Sequence, residues 1–425
     1  MALEEYQNDM ARCSRCSTCK FIPLEQIKSH EYSRVCPSIS RYNFHAYSGG
    51  GRLIMALAML KGRIDFTDKL VEIVYQCQTC GGCDISCKYN RDMEVLEPIY
   101  QFRIKCVENG QVLPAHMIMI DSLNKEDNMM QRSKSERGKW ADGLAVKNIT
   151  QDKAEVYYHA GCRYSFDEEL WKAARGTVNL LTKAGVDIGI AGKDEACCGG
   201  RPYELGYEGE AVKYAENNME MLRQAGVKTV VTSCADCYHS FKVLYDKLGK
   251  LNGKLEVLHI TEYLDRLLKK GTIKLTREVP ISVTYHDPCH LGRLGEPYIH
   301  WKGVEKKTRG QLIVHDPPKE YRRGTFGVYQ PPRDVLKTIP GLKLIEMERT
   351  REYAWCCGAG GGVIDAFPDF AAWTAMERIE EAKATDAEAM VTACPWCQRN
   401  FKDAVEQTGD TLKVYDIVEL VQEAL

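Results

Sequence analysis

Cysteines are the residues whose number and spacing most directly indicate chemistry in this chain. There are 19 of them among 425 residues, too many for a protein that uses thiols only as small buried side chains. Ten form two sets with the same order: a lone cysteine, a Cys-Cys-Gly and a Cys-x-x-Cys. Two such sets indicate an internal repeat. Their members are Cys162, Cys197, Cys198, Cys234 and Cys237, and then Cys289, Cys356, Cys357, Cys394 and Cys397.

Eight further cysteines form two closely spaced runs near the N-terminus. Three thiolates at i, i+3 and i+6 can wrap one side of a [4Fe–4S] cubane, and in two-cluster ferredoxins the fourth cysteine of each run ligates the other cluster. The spacing therefore predicts two cubane clusters with crossed ligands. One would be held by Cys13, Cys16, Cys19 and Cys87, and the other by Cys77, Cys80, Cys83 and Cys36.

Zinc and disulfides are the alternatives for so many cysteines. Zinc sites use well-separated Cys-x-x-Cys pairs, and disulfide frameworks belong to small secreted domains, so both fit the two triple runs poorly. Cys106 is left over, and we expect it to be an inert buried thiol.

The elements that must position these cysteines change character along the chain. Residues 1–120 show helical spacing of apolar residues, and the polar stretch 121–152 is expected to be a linker. Strands and helices then alternate, which predicts parallel sheets with right-handed crossovers. The predicted helices of the N-terminal part are 49–63, 65–77 and 92–120, and the principal strands thereafter are 154–159, 186–190, 227–233, 281–286 and 389–393.

The predicted fold class is thus α+β and α/β. A helical two-cluster ferredoxin module at 1–120 precedes two tandem repeated α/β lobes, at 153–275 and 280–425. The cysteines of each lobe fall at the carboxyl ends of strands, where open α/β sheets bind ligands. The second lobe carries an insertion at about 296–326, which is either a solvated loop or a lid or docking surface.

Residues beside the cysteines have both a structural and a functional interpretation. Glycines after each Cys-Cys pair allow close backbone approach and can aim N–H groups at sulfur; they lack the strand–GxGxxG–helix context of a dinucleotide loop. His159 and His286 precede the lone cysteines, either as strand-end residues or as proton donors beside a cluster. Asp236 and Trp396 lie inside the Cys-x-x-Cys pairs and are expected to pack around them.

Composition excludes several classes of protein. The net charge of −2 gives no basic face for nucleic acid. No apolar run reaches the ~18 residues of a membrane span, and helix 52–63 is expected to lie in the core. The acidic N-terminus lacks a signal peptide, so the expected location is cytoplasmic, with membrane association only through a partner.

The ordered cysteine repeats behind a ferredoxin module resemble the heterodisulfide reductase D-like family of CCG-domain iron–sulfur proteins. The resemblance covers nearly the whole chain. It implies that each complete five-cysteine set holds a non-cubane [4Fe–4S] cluster, at which a disulfide is cleaved reductively. The insertion after Cys289 departs from the family pattern.

Two functions follow from this resemblance. In the first, the chain is a redox enzyme subunit with disulfide-reductase-like chemistry. In the second, it is an electron-transfer subunit of a larger anaerobic complex and has no substrate of its own. The sequence contains no flavin or NAD motif, so either function needs other redox subunits: a flavoprotein, a ferredoxin, a membrane cytochrome b or a separate reductase such as an acyl-CoA reductase.

Overall fold

Helices make up the N-terminal part of the protein, as predicted. The computed structural model describes residues 2–251, 255–310 and 312–425. The long helix expected over 92–120 is divided, because Gly110 adopts a positive φ of 68° and Pro114 begins a new helix. The helices are α1 Gln7–Arg12, α2 Pro37–Tyr42, α3 Gly49–Leu60, α4 Asp68–Tyr75, α5 Gly82–Arg91, α6 Leu96–Glu108 and α7 Pro114–Glu126.

The first α/β lobe is built on a parallel sheet of five strands in the order β1-β3-β2-β4-β5. Its predicted strands at 154–159, 186–190 and 227–233 are confirmed, with ends that shift by a few residues. The elements are β1 Lys147–Asn148, β2 Val156–His159, α8 Gly161–Phe166, α9 Trp171–Lys183, β3 Ile188–Ile190, α10 Gly200–Leu205, α11 Glu208–Ala225, β4 Thr229–Thr232, α12 Ala235–His239, α13 Tyr245–Lys247, β5 Glu256–His259 and α14 Ile260–Lys269.

The second lobe repeats this plan on a parallel sheet of four strands in the order β11-β10-β6-β9. When the second sheet is read from its β9 edge, its order β9-β6-β10-β11 corresponds to β3-β2-β4-β5 of the first lobe. The elements are β6 Ser282–Tyr285, β7 Val304–Thr308, β8 Leu312–Asp316, α15 Gln330–Thr338, β9 Lys343–Ile345, α16 Val363–Ala366, α17 Pro368–Lys383, β10 Ala389–Thr392, α18 Pro395–Thr408, β11 Lys413–Asp416 and α19 Ile417–Ala424.

One continuous apolar core joins the two lobes, and a separate core fills the N-terminal helical module. The polar segment 121–152, expected as a linker, is packed structure: Trp140 is buried in the core of the first lobe, and β1 pairs with β3 at the edge of its sheet. The polar composition of this segment suggested a linker, but an edge strand and a loop that covers a core are also polar, because they expose most of their residues to water.

The insertion of the second lobe contains the antiparallel hairpin β7–β8, whose first strand is fully exposed. The two ends of the insertion are held together by the buried carboxylate of Glu296, which accepts hydrogen bonds from the N–H groups of Gly324 (2.9 Å) and Phe326 (3.1 Å). The hairpin contacts the N-terminal module, where Asn8 Nδ2 donates to Glu305 Oε2 at 2.6 Å. The insertion is thus an ordered arm against the helical module.

Candidate iron–sulfur sites

The structure brings the five cysteines of the first repeat together at the carboxyl end of the first sheet. Thiol contacts join Cys162 to Cys197, Cys198 to Cys237, and Cys234 to Cys237. Four of the five are buried, and Cys162 is partly exposed.

The second repeat assembles in the same way, with all five of its cysteines buried. Contacts join Cys289 to Cys356, Cys357 to Cys397, and Cys394 to Cys397. Both lobes therefore gather residues that are far apart in sequence, because the crossovers of a parallel sheet return every strand end to one edge.

Backbone geometry around each Cys-Cys-Gly supports the predicted role of its glycine. Gly199 and Gly358 have φ of 75° and 96°, a region that residues with a Cβ rarely adopt. Their N–H groups donate to Cys197 Sγ at 3.5 Å and to Cys356 Sγ at 3.3 Å. Such hydrogen bonds stabilise thiolate charge and tune the potential of a bound cluster.

Asparagines fix the carbonyl groups of both Cys-Cys pairs, and sequence reasoning missed them. Asn218 Nδ2 donates to the carbonyl of Cys197 at 2.8 Å, and Asn400 Nδ2 donates to that of Cys357 at 2.6 Å. The first asparagine lies on α11 and the second on α18, which are not equivalent helices of the repeat. Comparison of the two halves therefore gave no signal for them.

A buried arginine lies beside the lone cysteine of each set. Arg137, from the segment expected to be a linker, is fully buried and donates to Cys162 Sγ at 3.6 Å. Together with the hydrogen bond from Cys197, it lowers the pKa of the Cys162 thiol to about 6 despite burial. In the second lobe the buried Arg293 lies near Cys289 and donates to the carbonyl of Ala354 at 2.5 Å.

Glu195 organises the first set around Arg137. The carboxylate is 3% exposed and accepts from Arg137 Nη2 at 2.9 Å, from Ala160 N at 3.0 Å and from Gly161 N at 2.9 Å. It therefore connects the loop before Cys197 to the turn that carries Cys162. No local pattern marked this residue, since its partners are about 35 and 58 positions away in sequence.

Both histidines that precede the lone cysteines are buried strand-end residues whose Nδ1 atoms are hydrogen-bonded. His159 Nδ1 pairs with Tyr157 Oη at 3.1 Å, and His286 Nδ1 accepts from Arg378 Nε at 3.2 Å. Burial lowers the pKa of both imidazoles, and both Nε2 atoms lack a hydrogen-bond partner among the described residues. One ring nitrogen of His286 lies within 4.8 Å of the Cys357 and Cys397 sulfurs, so this residue is also a neighbour of the second set.

The residues inside the Cys-x-x-Cys pairs pack where the two lobes meet, in agreement with the sequence. Asp236 accepts from Arg201 Nη2 at 3.0 Å. The Trp396 ring lies between two guanidinium groups of the first lobe, 3.8 Å from that of Arg201 and 4.4 Å from that of Arg163. These stacks attach the second set to the first lobe.

The eight N-terminal cysteines separate into the two groups that the crossed rule predicts. Cys87 belongs to the second run of cysteines but lies near Cys13, Cys16 and Cys19 of the first run. All four of these cysteines line one cavity. Cys36 comes from the first run and has Cys77 and Cys80 as neighbours. The grouping agrees with two crossed cubane sites, while the role of each cysteine as a ligand stays a prediction. Cys106 lies in the core of the helical module.

The four sets follow one another through contacts between neighbouring thiols. Cys19 lies near Cys83, so the two N-terminal sets are neighbours. The Cys80 thiol contacts Cys356, which joins the N-terminal module to the second lobe. Cys234 contacts Cys394, which joins the two lobes.

These sets fit iron–sulfur clusters. None of the 19 cysteines is in a disulfide, so all of their sulfurs are free to bind metal as thiolates. A tetrahedral zinc ion binds four ligands. If a five-cysteine set held zinc, one of its five thiols would bind no metal.

Family models match all three parts of the chain. The cysteine-rich CCG domain matches residues 156–242 and 314–402, and the 4Fe-4S dicluster domain matches residues 9–90. A subunit of the dihydromethanophenazine:CoB–CoM heterodisulfide reductase of Methanosarcina mazei is 33% identical over 356 residues, which cover 83% of this chain and 78% of that protein. The chain belongs to the heterodisulfide reductase D-like family of CCG-domain iron–sulfur proteins. It is therefore an iron–sulfur oxidoreductase subunit, as the resemblance implied.

Other members of this CCG-domain family are longer than the chain. The EtfAB:quinone oxidoreductase of Syntrophomonas wolfei is 28% identical and the probable iron-sulfur-binding oxidoreductase FadF of Bacillus subtilis 29%; each match covers 83% of this chain and 47% of the relative. A crystal structure of a hypothetical protein from Helicobacter pylori has the same fold, with a TM-score of 0.55, 10% identity and coverage of 89% of this chain and 67% of that one.

The helices were also expected to lack a membrane span. Among those that the structure describes, none combines the length and apolar character that spanning a bilayer requires.

Proposed function

We propose that this chain is the iron–sulfur subunit of a multi-protein redox complex and that each of its four cysteine sets holds one [4Fe–4S] cluster. The two N-terminal sets would hold cubane clusters, and the two five-cysteine sets would hold non-cubane clusters. When bound, the clusters supply one-electron transfers and, at a five-cysteine set, the two electrons that cleave a disulfide into two thiolates. All eighteen cysteines of the four sets are the proposed ligands.

The observation that carries this proposal is the unbroken series of sulfur contacts. Three proximities connect the four proposed sets in sequence: Cys19 to Cys83, Cys80 to Cys356, and Cys234 to Cys394. A structural metal protein has no need for such proximity, whereas electron transfer between sites requires it. The series also supports the N-terminal module as the end at which electrons are exchanged with another protein.

A cavity where the two lobes meet supports disulfide chemistry. It is lined by cysteines of the second set together with Arg201 and His290. A buried guanidinium is a favourable partner for a carboxylate or sulfonate. The proposed disulfide would lie against this side of the second set, with its anionic group near Arg201.

The electron-transfer function without a substrate is the second candidate. It is favoured by the burial of every cysteine in the second set and by the buried Arg293, which has both Cys80 and Cys289 as neighbours. A relative named as an EtfAB:quinone oxidoreductase makes a flavoprotein a reasonable partner for this function. A ferredoxin, a membrane cytochrome b and a separate reductase are the other proposed partners.

Metal analysis of anaerobically prepared protein tests the cluster assignment. We expect about 16 iron atoms per chain, at four per cluster, and no stoichiometric zinc. A count near 8 with zinc present would contradict the non-cubane assignments. Cys13→Ser should alter the signal of one cubane and leave the others unchanged; loss of all signals together would refute the partition of ligands.

Oxidation of reduced methyl viologen by a mixed disulfide of two small anionic thiols separates the two functions. The disulfide-reductase function predicts turnover that falls in Arg201→Lys, because a point charge replaces a planar guanidinium, and that is unchanged in the exposed control Arg277→Lys. A fully loaded protein that is reduced by viologen but not reoxidised by any disulfide supports the electron-transfer function.

A further inference from the structure

The cysteine set of Cys13, Cys16, Cys19 and Cys87 reaches the protein surface. Cys16 is the one exposed cysteine of the 19, and Cys13 beside it is partly exposed. Cys356, in contrast, lies deep in the series of contacts and is buried. An external protein can therefore approach the four sets most closely at Cys16.

Positive charge surrounds this exposed thiol. Arg12, Arg15 and Arg91 are exposed, and Lys20 is partly exposed. Arg91 lies within hydrogen-bonding reach of Cys16, and Arg12 Nη2 donates to the backbone carbonyl of Arg91 at 3.1 Å. Arg15 and Lys20 are both near His45, which lines the same cavity as Cys16.

The charge of these four side chains is only partly offset within the protein, by the interaction of Asp9 with Arg12. None of them forms an ion pair with a carboxylate in the described ranges 2–251, 255–310 and 312–425. The whole chain has a net charge of −2, so a local cluster of four cations is a property of this surface and not of the overall composition. Such a field attracts an oppositely charged protein.

Two exposed phenylalanines lie next to these positively charged residues. Phe44, which precedes His45, is 67% exposed, and Phe21, which follows Lys20, is 39% exposed. A small apolar patch within a ring of like charge is suited to a transient redox complex, since the charges guide the encounter and the patch supplies the close contact.

We propose that this rim, defined by Arg12, Arg15, Lys20, Arg91 and Phe44, is the docking surface for an acidic one-electron carrier protein. The inference rests on the proposed function, because it requires a redox centre at Cys16. One electron leaves the carrier and one enters this chain, and no bond is made or broken. A membrane surface is the less suitable occupant, since the charge is centred on a thiol set and not spread along a helix.

The test measures binding of the oxidised, iron-loaded protein to an oxidised acidic two-[4Fe–4S] ferredoxin by biolayer interferometry. We expect the Kd to rise about tenfold or more in Arg15→Glu/Arg91→Glu and to rise with salt in the wild type. The control Arg63→Glu/Arg277→Glu makes the same charge change at exposed arginines outside the rim, and its Kd should match the wild type.

A second double variant removes positive charge without adding negative charge. It separates an effect of charge on binding from a loss of structure. Arg15→Gln/Lys20→Gln should weaken ferredoxin binding by a smaller factor, with the iron content and the low-temperature EPR spectrum of the wild type. Low iron in the wild type would refute the proposed function, whereas normal iron with no ferredoxin binding would refute this inference alone.

A lipid assay distinguishes the other source of negative charge. Vesicles of phosphatidylglycerol are sedimented with the same proteins. If the wild type binds them, Arg15→Glu/Arg91→Glu does not, and the ferredoxin Kd is equal in both, the rim is a membrane-binding surface and the proposal is wrong. We expect instead that only ferredoxin binding responds to the substitutions.

Discussion

Glu195→Gln is the substitution that most directly tests how the protein positions its first five-cysteine set. The carboxylate is 3% exposed and its partner Arg137 is fully buried. Glutamine retains the shape and one acceptor but removes the carboxylate that pairs with the buried Arg137 guanidinium, which keeps only the Cys162 sulfur as an anionic neighbour. Removing one partner of a buried ion pair costs about 3–5 kcal/mol. The two backbone N–H groups of Ala160 and Gly161 also lose charge assistance for their hydrogen bonds.

The structural consequence should be local to the first set. Arg137 donates to Cys162 Sγ, and Gly161 precedes that cysteine, so both supports of Cys162 depend on Glu195. We expect Glu195→Gln to lose about 3–6 °C in melting temperature for a chain of this size and to retain about 12 iron atoms per chain in place of about 16, because one [4Fe–4S] site is lost. Anaerobic thermal denaturation and iron analysis measure the two effects.

A surface variant and a double variant make the result interpretable. Glu220→Gln removes the same charge from an exposed ion pair with Arg223, and should leave the melting temperature close to that of the wild type, because solvent screens exposed pairs. Arg137→Met/Glu195→Gln removes both buried charges and should be more stable than Glu195→Gln alone. If Glu195→Gln has the melting temperature and iron content of the wild type, the assignment of Glu195 as the support of this set is wrong.

Three further predictions concern single residues. Cys106→Ala should leave the iron content unchanged, because burial raises the pKa of this thiol to about 12 and it lies in an apolar core away from the sets; iron analysis tests this. Asn400→Ala should cost about 1–3 kcal/mol, since it leaves the buried carbonyl of Cys357 unpaired; thermal denaturation measures the loss. Burial raises the pKa of Asp416 to about 7. Between about pH 4 and 7 the folded state therefore binds more protons at this group than the unfolded state, so its contribution to stability falls as pH rises, and Asp416→Asn should flatten the melting curve against pH in this window.

Each of these predictions has a contrary outcome. Loss of iron in Cys106→Ala would mean that a nineteenth thiol belongs to a site. An unchanged melting temperature in Asn400→Ala would mean that water or another donor replaces the amide. A pH profile of Asp416→Asn that parallels the wild type would mean that groups other than Asp416 set the pH dependence.

Local periodicity accounts for what could be predicted of the fold. Strands such as β4 and β10 were found because a short apolar run ended at a cysteine. The expected linker was wrong because a sequence window shows polarity and cannot show that Trp140 is covered by a distant sheet.

The sequence by itself determined the cysteine repeats, the crossed grouping of Cys36 and Cys87, and the parallel sheets, because each depends on spacing along the chain. Only the tertiary structure decided that Cys80 meets Cys356, that Cys234 meets Cys394, and that Glu195 and Arg137 support the first set. These pairs join residues between 58 and about 280 positions apart, and their contacts follow from how the module and the two lobes pack. No periodicity records that packing, which is why the order of the four sets became visible only in three dimensions.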